Sequence, residues 1–269
     1  MTFDTRSGRA TARADVLTLL RSAVFNLYFY GLTVLLCIPG TVIRFVAPRY
    51  TLALPMLWAR LAVAGLSAIC RVRVEVTGRE RLPPAAAALI ASRHQSAFDT
   101  LIWLTLLPRC CYVIKRELKN IPVFGGMMEP AGMILVDRTR GPAAMRHLLR
   151  EAERAKREER QIVIFPEGTR SAPGVLGSLQ PGAAAVAVRT GLPVIPAITD
   201  SGHCWGRRSF LKRPGTIRIE LLEPISPERG RGPLMRDLEA ALQKEFANPV
   251  DNSVGVVRRR FADNRRQKQ

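Results

Sequence analysis

His94 and Asp99, in the segment His94-Gln95-Ser96-Ala97-Phe98-Asp99, are the side chains of this sequence best suited to moving a proton. A carboxylate that accepts a proton from one imidazole nitrogen fixes the tautomer and leaves the other nitrogen as a base of suitable strength near neutral pH. Spacing decides whether the two can meet. Five residues along a regular helix turn by about 140°, so a wholly helical segment would point them apart. They meet only if His94 sits in the loop that enters the helix. The flanking residues allow this: the apolar run 85–91 reads as a strand buried on both faces and ending just before His94. The Leu-, Ile- and Trp-rich run 97–107 reads as a buried helix with Ser96 as its N-cap. Spacing alone leaves a second reading open, a solvated loop histidine with Asp99 serving only the first turn of the helix.

A second polar cluster follows another apolar run. Gln161-Ile162-Val163-Ile164-Phe165 reads as a strand that passes straight into Pro166-Glu167-Gly168-Thr169-Arg170-Ser171. There Arg170 offers a rigid fork suited to phosphate or carboxylate, and a glycine amide allows close approach of an anion. The run 131–136 repeats the pattern, ending in Asp137-Arg138. Apolar strands that discharge polar residues at their C-terminal ends are how open α/β sheets build ligand sites. Further strands are expected where Val72, Val74 and Val76 alternate with charges, at 194–199, and where Ile217, Ile219 and Leu221 alternate. Helices are expected from Pro142 to about Arg160, with a charged outer face, and from Pro233 to Phe246. His147 on the first of these reads as a solvated neighbour of Arg150 and Glu151. The loop 201–208, with Trp205, Arg207 and Arg208, follows the strand 194–199 to the same sheet end, and reads either as an interfacial contact or as a packed loop.

These segments resemble four blocks of the glycerolipid acyltransferases, in that family's order and over roughly residues 71–222. His94 and Asp99 match its H-x4-D block; Phe165 to Ser171 match F-P-E-G-T-R-S; Gly132 to Arg138 match G-x-x-x-x-D-R; Leu192-Pro193-Val194-Ile195-Pro196-Ala197 is similar to V-P-V-I-P. The resemblance implies an α/β fold with a mixed, mostly parallel sheet flanked by helices. It implies transfer of a fatty acyl group from acyl-CoA or acyl-carrier protein to the sn-2 hydroxyl of 1-acyl-sn-glycerol-3-phosphate, giving phosphatidic acid. His94 would be the general base and Asp99 its partner. Glu167, Gly168, Thr169 and Arg170 would shape the pocket for the glycerol phosphate, and Arg138 would add a second positive contact. No cofactor, no metal and no covalent acyl-enzyme are required. One departure stands out: many relatives carry a Lys shortly before the glycine that follows the F-P-E-G-T-R block, where this chain has Leu179-Gln180-Pro181-Gly182. A phosphate-free acceptor such as a lyso-ornithine lipid therefore stays open, as does a non-catalytic lipid-binding protein of the same fold.

Composition fits a protein that works against polyanions. Lys and Arg number 41 against 22 Asp and Glu, a net charge of +19, with a pI near 11.1. Anionic membrane lipid, acyl-CoA and acyl-carrier protein are such partners; nucleic acid is not expected, because no zinc spacing, basic zipper or aromatic RNA-binding signature is present. The segment 22–43 carries no charge and is long enough to cross a bilayer, though Asn26 and Pro39-Gly40 argue for a bend or an end. The apolar run 51–70 is interrupted by Pro55 and Arg60. Together they read as a membrane-associated helical hairpin, with a pair of buried core helices as the alternative. Basic residues flank every end: Arg6, Arg9, Arg13 and Arg21 before the first run, Arg44 and Arg49 after it, Arg71 and Arg73 after the second. The expected organisation is a membrane segment at 1–70, a catalytic domain at 71–250 and a basic tail at 251–269, on the cytoplasmic face of a bacterial inner membrane. Five dispersed cysteines argue for reduced thiols rather than a disulfide framework. The absence of a G-x-S-x-G elbow argues against a serine hydrolase.

Overall fold

The computed structural model describes residues 5–121, 125–244 and 246, with side chains from residue 15 onward. The basic tail, with Arg258–Arg260, Arg265 and Arg266, lies outside the described residues, as do the side chains of Arg6, Arg9 and Arg13. Two long helices come first, α1 (Thr5–Val46) and α2 (Ala53–Cys70). They lead into β1 (Val72–Thr77), β2 (Ala88–Ser92), α3 (Phe98–Leu106) and β3 (Cys110–Lys115). Then follow the single turn α4 (Gly125–Met128), β4 (Ile134–Val136), α5 (Pro142–Arg157), β5 (Gln161–Ile164), α6 (Gly182–Thr190), β6 (Val194–Thr199), β7 (Gly215–Leu221) and α7 (Arg231–Leu242).

The strands form one sheet in the order β1-β7-β6-β2-β5-β3-β4. From β6 to β4 all neighbours are parallel, whereas β7 pairs antiparallel with β6 and parallel with β1. Central strands buried on both faces explain the unbroken apolar runs. Along β2, Ala88 and Ile90 join a core with α2, α3 and Phe25, while Leu89 and Ala91 join one with α5, α6 and α7. The sheet thus has a face covered by the N-terminal helices and α3, and an opposite face covered by the other three. Registers place Ala91 beside both Ile164 and Pro196, so the chain leaves the parallel strands β2, β5 and β6 at the same end of the sheet.

Several expectations are corrected in detail. The strand expected from residue 85 starts at Ala88, and the helices end at Arg157 and Leu242 rather than Arg160 and Phe246, where Glu158 and Gln243 close the last turns. The α3 cap position falls on Ala97, not Ser96, although the Ser96 hydroxyl still accepts the Phe98 amide at 3.1 Å. Pro39-Gly40 does not end α1, which continues to Val46. Gly40 gives room to Met127: a Cβ there would meet the Met127 sulfur, which would have to shift. Trp205 is buried, 7% exposed, and packs edge-on against Phe25 and Phe29 of α1, so its loop is a packed one.

The N-terminal helices are neither buried core nor free of the domain. Residues 22–29 of α1 dock on the loop before β7: Ser22 Oγ accepts the Lys212 amide at 2.9 Å, and Lys212 Nζ donates to Asn26 Oδ1 at 2.6 Å. Asn26, the polar interruption in the apolar run, is therefore satisfied by protein. Other α1 side chains face outward, among them Leu27 at 79%, Val34 at 65%, Ile38 at 64% and Phe45 at 74% exposure. Both helices are long and apolar enough to cross a membrane. So large an exposed apolar band associates with lipid rather than water.

Candidate active site

His94 sits in the loop between β2 and α3, as the pairing required, and its Nδ1 lies 3.1 Å from Asp99 Oδ2. Asp99 is in the first turn of α3 and only 1% exposed. Burying a carboxylate demands full partnering. The Asp99 carboxylate has it: Oδ2 also accepts the amides of Gln95 (2.7 Å) and Ser96 (2.8 Å), and Oδ1 accepts the Ser201 hydroxyl at 2.6 Å. With no acidic proton to spare at Oδ2, the network assigns the imidazole N–H to Nδ1 and the lone pair to Nε2. The ring is held flat by Phe165, stacked at 4.1 Å between centroids.

The loop after β5 grips this unit from the other side. Glu167 is 5% exposed. Its Oε1 accepts the His94 amide at 2.9 Å, and its Oε2 accepts the Gly177 amide at 3.0 Å and the Ser171 hydroxyl. The Ser171 amide in turn donates to the His94 carbonyl at 2.8 Å. Gly168, at φ +68°, takes a left-handed turn in which its carbonyl accepts from Arg138 Nη1 at 3.2 Å; a Cβ would strike that guanidinium. Thr169 is exposed at the rim. Arg170 Nε approaches His94 Nε2 at 3.4 Å. Burial pulls the Arg170 guanidinium below its ordinary pKa; Asp99 opposes this, and repulsion from Arg207 and Arg208 adds to it.

The structure thus brings together His94, Asp99, Arg138, Glu167, Gly168, Thr169 and Arg170 around one loop cluster. All but Asp99 and Glu167 line an open cleft of about 410 Å³. Lys115, Arg207 and Arg208 line it too. The two arginines come from the loop after β6, whose placement at this sheet end was legible while their convergence on Arg170 was not. A second, apolar cavity of about 270 Å³ shares Thr100, Ile114, Leu118 and Arg170 with the cleft and runs among Leu104, Met128 and Met133 to Pro55 and Trp58 of α2. Among the described residues no hydroxyl or thiol bonds to His94. Ser171 and Ser201 are committed to carboxylates, and burial pushes the Cys111 and Cys204 thiols up to about 12. No group of three or more His, Cys, Asp or Glu among the described residues is arranged to hold a metal.

A histidine paired with a buried carboxylate, with no hydroxyl or thiol bonded to it among the described residues, at the meeting of a cationic cleft and an apolar cavity, suits a transferase for amphipathic anions. Comparison with known proteins makes the class specific. Residues 73–200 match the family model described as Acyltransferase. The chain is 32% identical over 200 residues to a 1-acyl-sn-glycerol-3-phosphate acyltransferase of Pseudomonas aeruginosa, covering 72% of this chain and 77% of that one. It is 33% identical over 156 residues to the human 1-acyl-sn-glycerol-3-phosphate acyltransferase beta, covering 57% of this chain and 56% of that one. Its fold matches the crystal structure of the 1-acyl-sn-glycerophosphate (LPA) acyltransferase PlsC from Thermotoga maritima, with a TM-score of 0.63 at 22% identity over 86% of this chain and 95% of that one. The chain belongs to the acyltransferase family.

Proposed function

We propose that this protein acylates the free hydroxyl of 1-acyl-sn-glycerol-3-phosphate from a fatty acyl thioester, giving phosphatidic acid, with His94 as general base. The observation that carries the reading is the His94 Nδ1 to Asp99 Oδ2 contact at 3.1 Å, which leaves Nε2 turned to a cleft ringed by Arg138, Arg170, Arg207 and Arg208. The acceptor hydroxyl displaces Arg170 from Nε2 and gives its proton to that nitrogen as its oxygen attacks the thioester carbonyl. Asp99 stabilises the imidazolium. Collapse of the tetrahedral intermediate breaks the C–S bond, and the imidazolium returns the proton to the departing thiolate. Base catalysis of this kind contributes about 10²–10⁴-fold. No cofactor or metal takes part.

The arginines supply charge-assisted donors for the acceptor's phosphate, so the lysine that relatives carry near the position of Gln180 has substitutes on other loops. Arg138 and Arg170 contact the phosphate; Gly168 and Thr169 shape its rim; Glu167 acts from behind, by holding the His94 backbone. The apolar cavity takes an acyl chain, and its lining by Pro55 and Trp58 of α2 sets that chain beside the apolar N-terminal helices. Acyl-CoA or acyl-carrier protein reaches the cleft from the cytoplasmic side of a bacterial inner membrane, on which α1 and α2 hold the enzyme. The test is thiol release from acyl-CoA by the detergent-purified protein, with acyl-carrier protein as alternative donor. Lysophosphatidic acid and a lyso-ornithine lipid are offered separately. Release with the first acceptor and not the second is expected; release with the phosphate-free lipid alone would overturn the assignment of the acceptor.

A further inference from the structure

We propose that a second anion site, of a kind that takes a phosphate group, lies behind the catalytic loop, in a cleft of about 130 Å³ that shares no lining residue with the His94 cleft. It is lined by Arg93, Gln95, Asp200, His203, Arg218 and Lys244, with Phe246 at its edge.

Arg93 is the reason to expect a ligand. It is 5% exposed, and a buried guanidinium is ordinarily matched by a carboxylate. Arg93 has none among the described residues. Its Nη2 donates to the Val175 carbonyl at 2.7 Å, while its buried Nε meets no acceptor. Among the described residues the one carboxylate in the lining, Asp200, is already taken: Oδ2 accepts from Arg218 Nε at 2.9 Å and Oδ1 accepts the Arg218 amide at 2.7 Å. The Asp200 and Arg218 charges cancel, and Phe246 stacks 4.4 Å from that guanidinium. Among the described residues Arg93 and Lys244 have no carboxylate partner. The volume is too small for a drug-sized ligand and equals about four waters. That suits a tetrahedral oxyanion. A planar guanidinium fork and a flexible ammonium are the usual donors to phosphate.

The site touches the machinery only indirectly. Gln95 Oε1 accepts the Gly202 amide at 3.1 Å, and the Gln95 amide donates to Asp99, so an anion here braces the loop that carries His94 and the loop that carries Ser201. Its phosphate comes either free from solution or from a phospholipid headgroup.

Thermal melting of the full chain in neutral detergent distinguishes these outcomes, with inorganic phosphate or dihexanoylphosphatidylglycerol titrated at constant ionic strength. A ligand at ten times its Kd raises Tm by about 3–5 °C for a chain of this size. The rise is expected to persist in the Arg207→Ala/Arg208→Ala variant, which removes two of the four arginines of the catalytic cleft. It is expected to vanish in Lys244→Glu, an exposed position that leaves the core untouched, and in Arg93→Gln. A rise with phosphate alone identifies a free anion as the ligand, and one with the lipid alone a headgroup. No rise with either overturns the proposal, as does a rise that survives Lys244→Glu and Arg93→Gln, which would place the anion in the catalytic cleft.

Discussion

Glu167→Gln separates two roles that the same residue could play. In the structure both carboxylate oxygens are occupied by protein: His94 N–H on one, Gly177 N–H and the Ser171 hydroxyl on the other. A glutamine offers one carbonyl and one amide. Whichever way it turns, an N–H faces a backbone N–H, and leaving a buried donor unpaired costs about 1–3 kcal/mol. The remaining bond changes from charge-assisted to neutral, a further loss of about 1 kcal/mol. A total of about 2–4 kcal/mol corresponds to a fall in Tm of roughly 5–15 °C for a domain of this size. The loop that holds His94 loosens, so kcat falls, while the KM for lysophosphatidic acid stays within about twofold because no Glu167 oxygen reaches the substrate. Melting and steady-state kinetics on the same detergent-solubilised preparation report both. An unchanged Tm with a tenfold higher acceptor KM would refute the reasoning and place Glu167 on the substrate.

Three other outcomes are expected. Arg207→Ala/Arg208→Ala raises the KM for lysophosphatidic acid by about tenfold, the equivalent of 1.4 kcal/mol, and weakens its salt dependence, with kcat unchanged; an unaltered KM would mean the phosphate docks elsewhere. Leu118→Trp narrows the passage shared by cleft and apolar cavity, so the ratio of turnover with long-chain to short-chain donors falls; equal loss with both would remove the cavity as the acyl slot. Burial lowers the Lys212 pKa from 10.5 to about 8. Between those values the unfolded chain binds the extra proton, so stability from this group rises with pH from about 8 to 10.5 and is flat below. In Lys212→Met that slope of Tm against pH disappears, and its persistence would assign it to another group.

Legibility from sequence followed the range of the interactions. Helix geometry over five residues showed that His94 and Asp99 could meet only if His94 lay in the entering loop, but it left open whether they do. Strands buried on both faces announced themselves as unbroken apolar runs, which is why β2, β5 and β6 were placed with errors confined to their ends. Ser201, which caps Asp99 from 102 residues away, carries no local signal, and nothing around Arg207 and Arg208 says that they face Arg170. The block resemblance put Glu167 in the acceptor pocket by position in a motif, whereas its side chain is turned inward by partners that only folding supplies. Pro39 does not end α1, although a missing N–H ordinarily disfavours a helix in water, because an apolar surrounding penalises any alternative to the helix.

The central claim is that His94 accepts the acceptor's proton. Acyl transfer to lysophosphatidic acid by wild type and His94→Ala, reconstituted side by side in vesicles, tests it most directly. The account predicts loss of at least about 10²-fold in kcat with vesicle binding retained through α1 and α2. Turnover within a few fold of wild type in His94→Ala would contradict it.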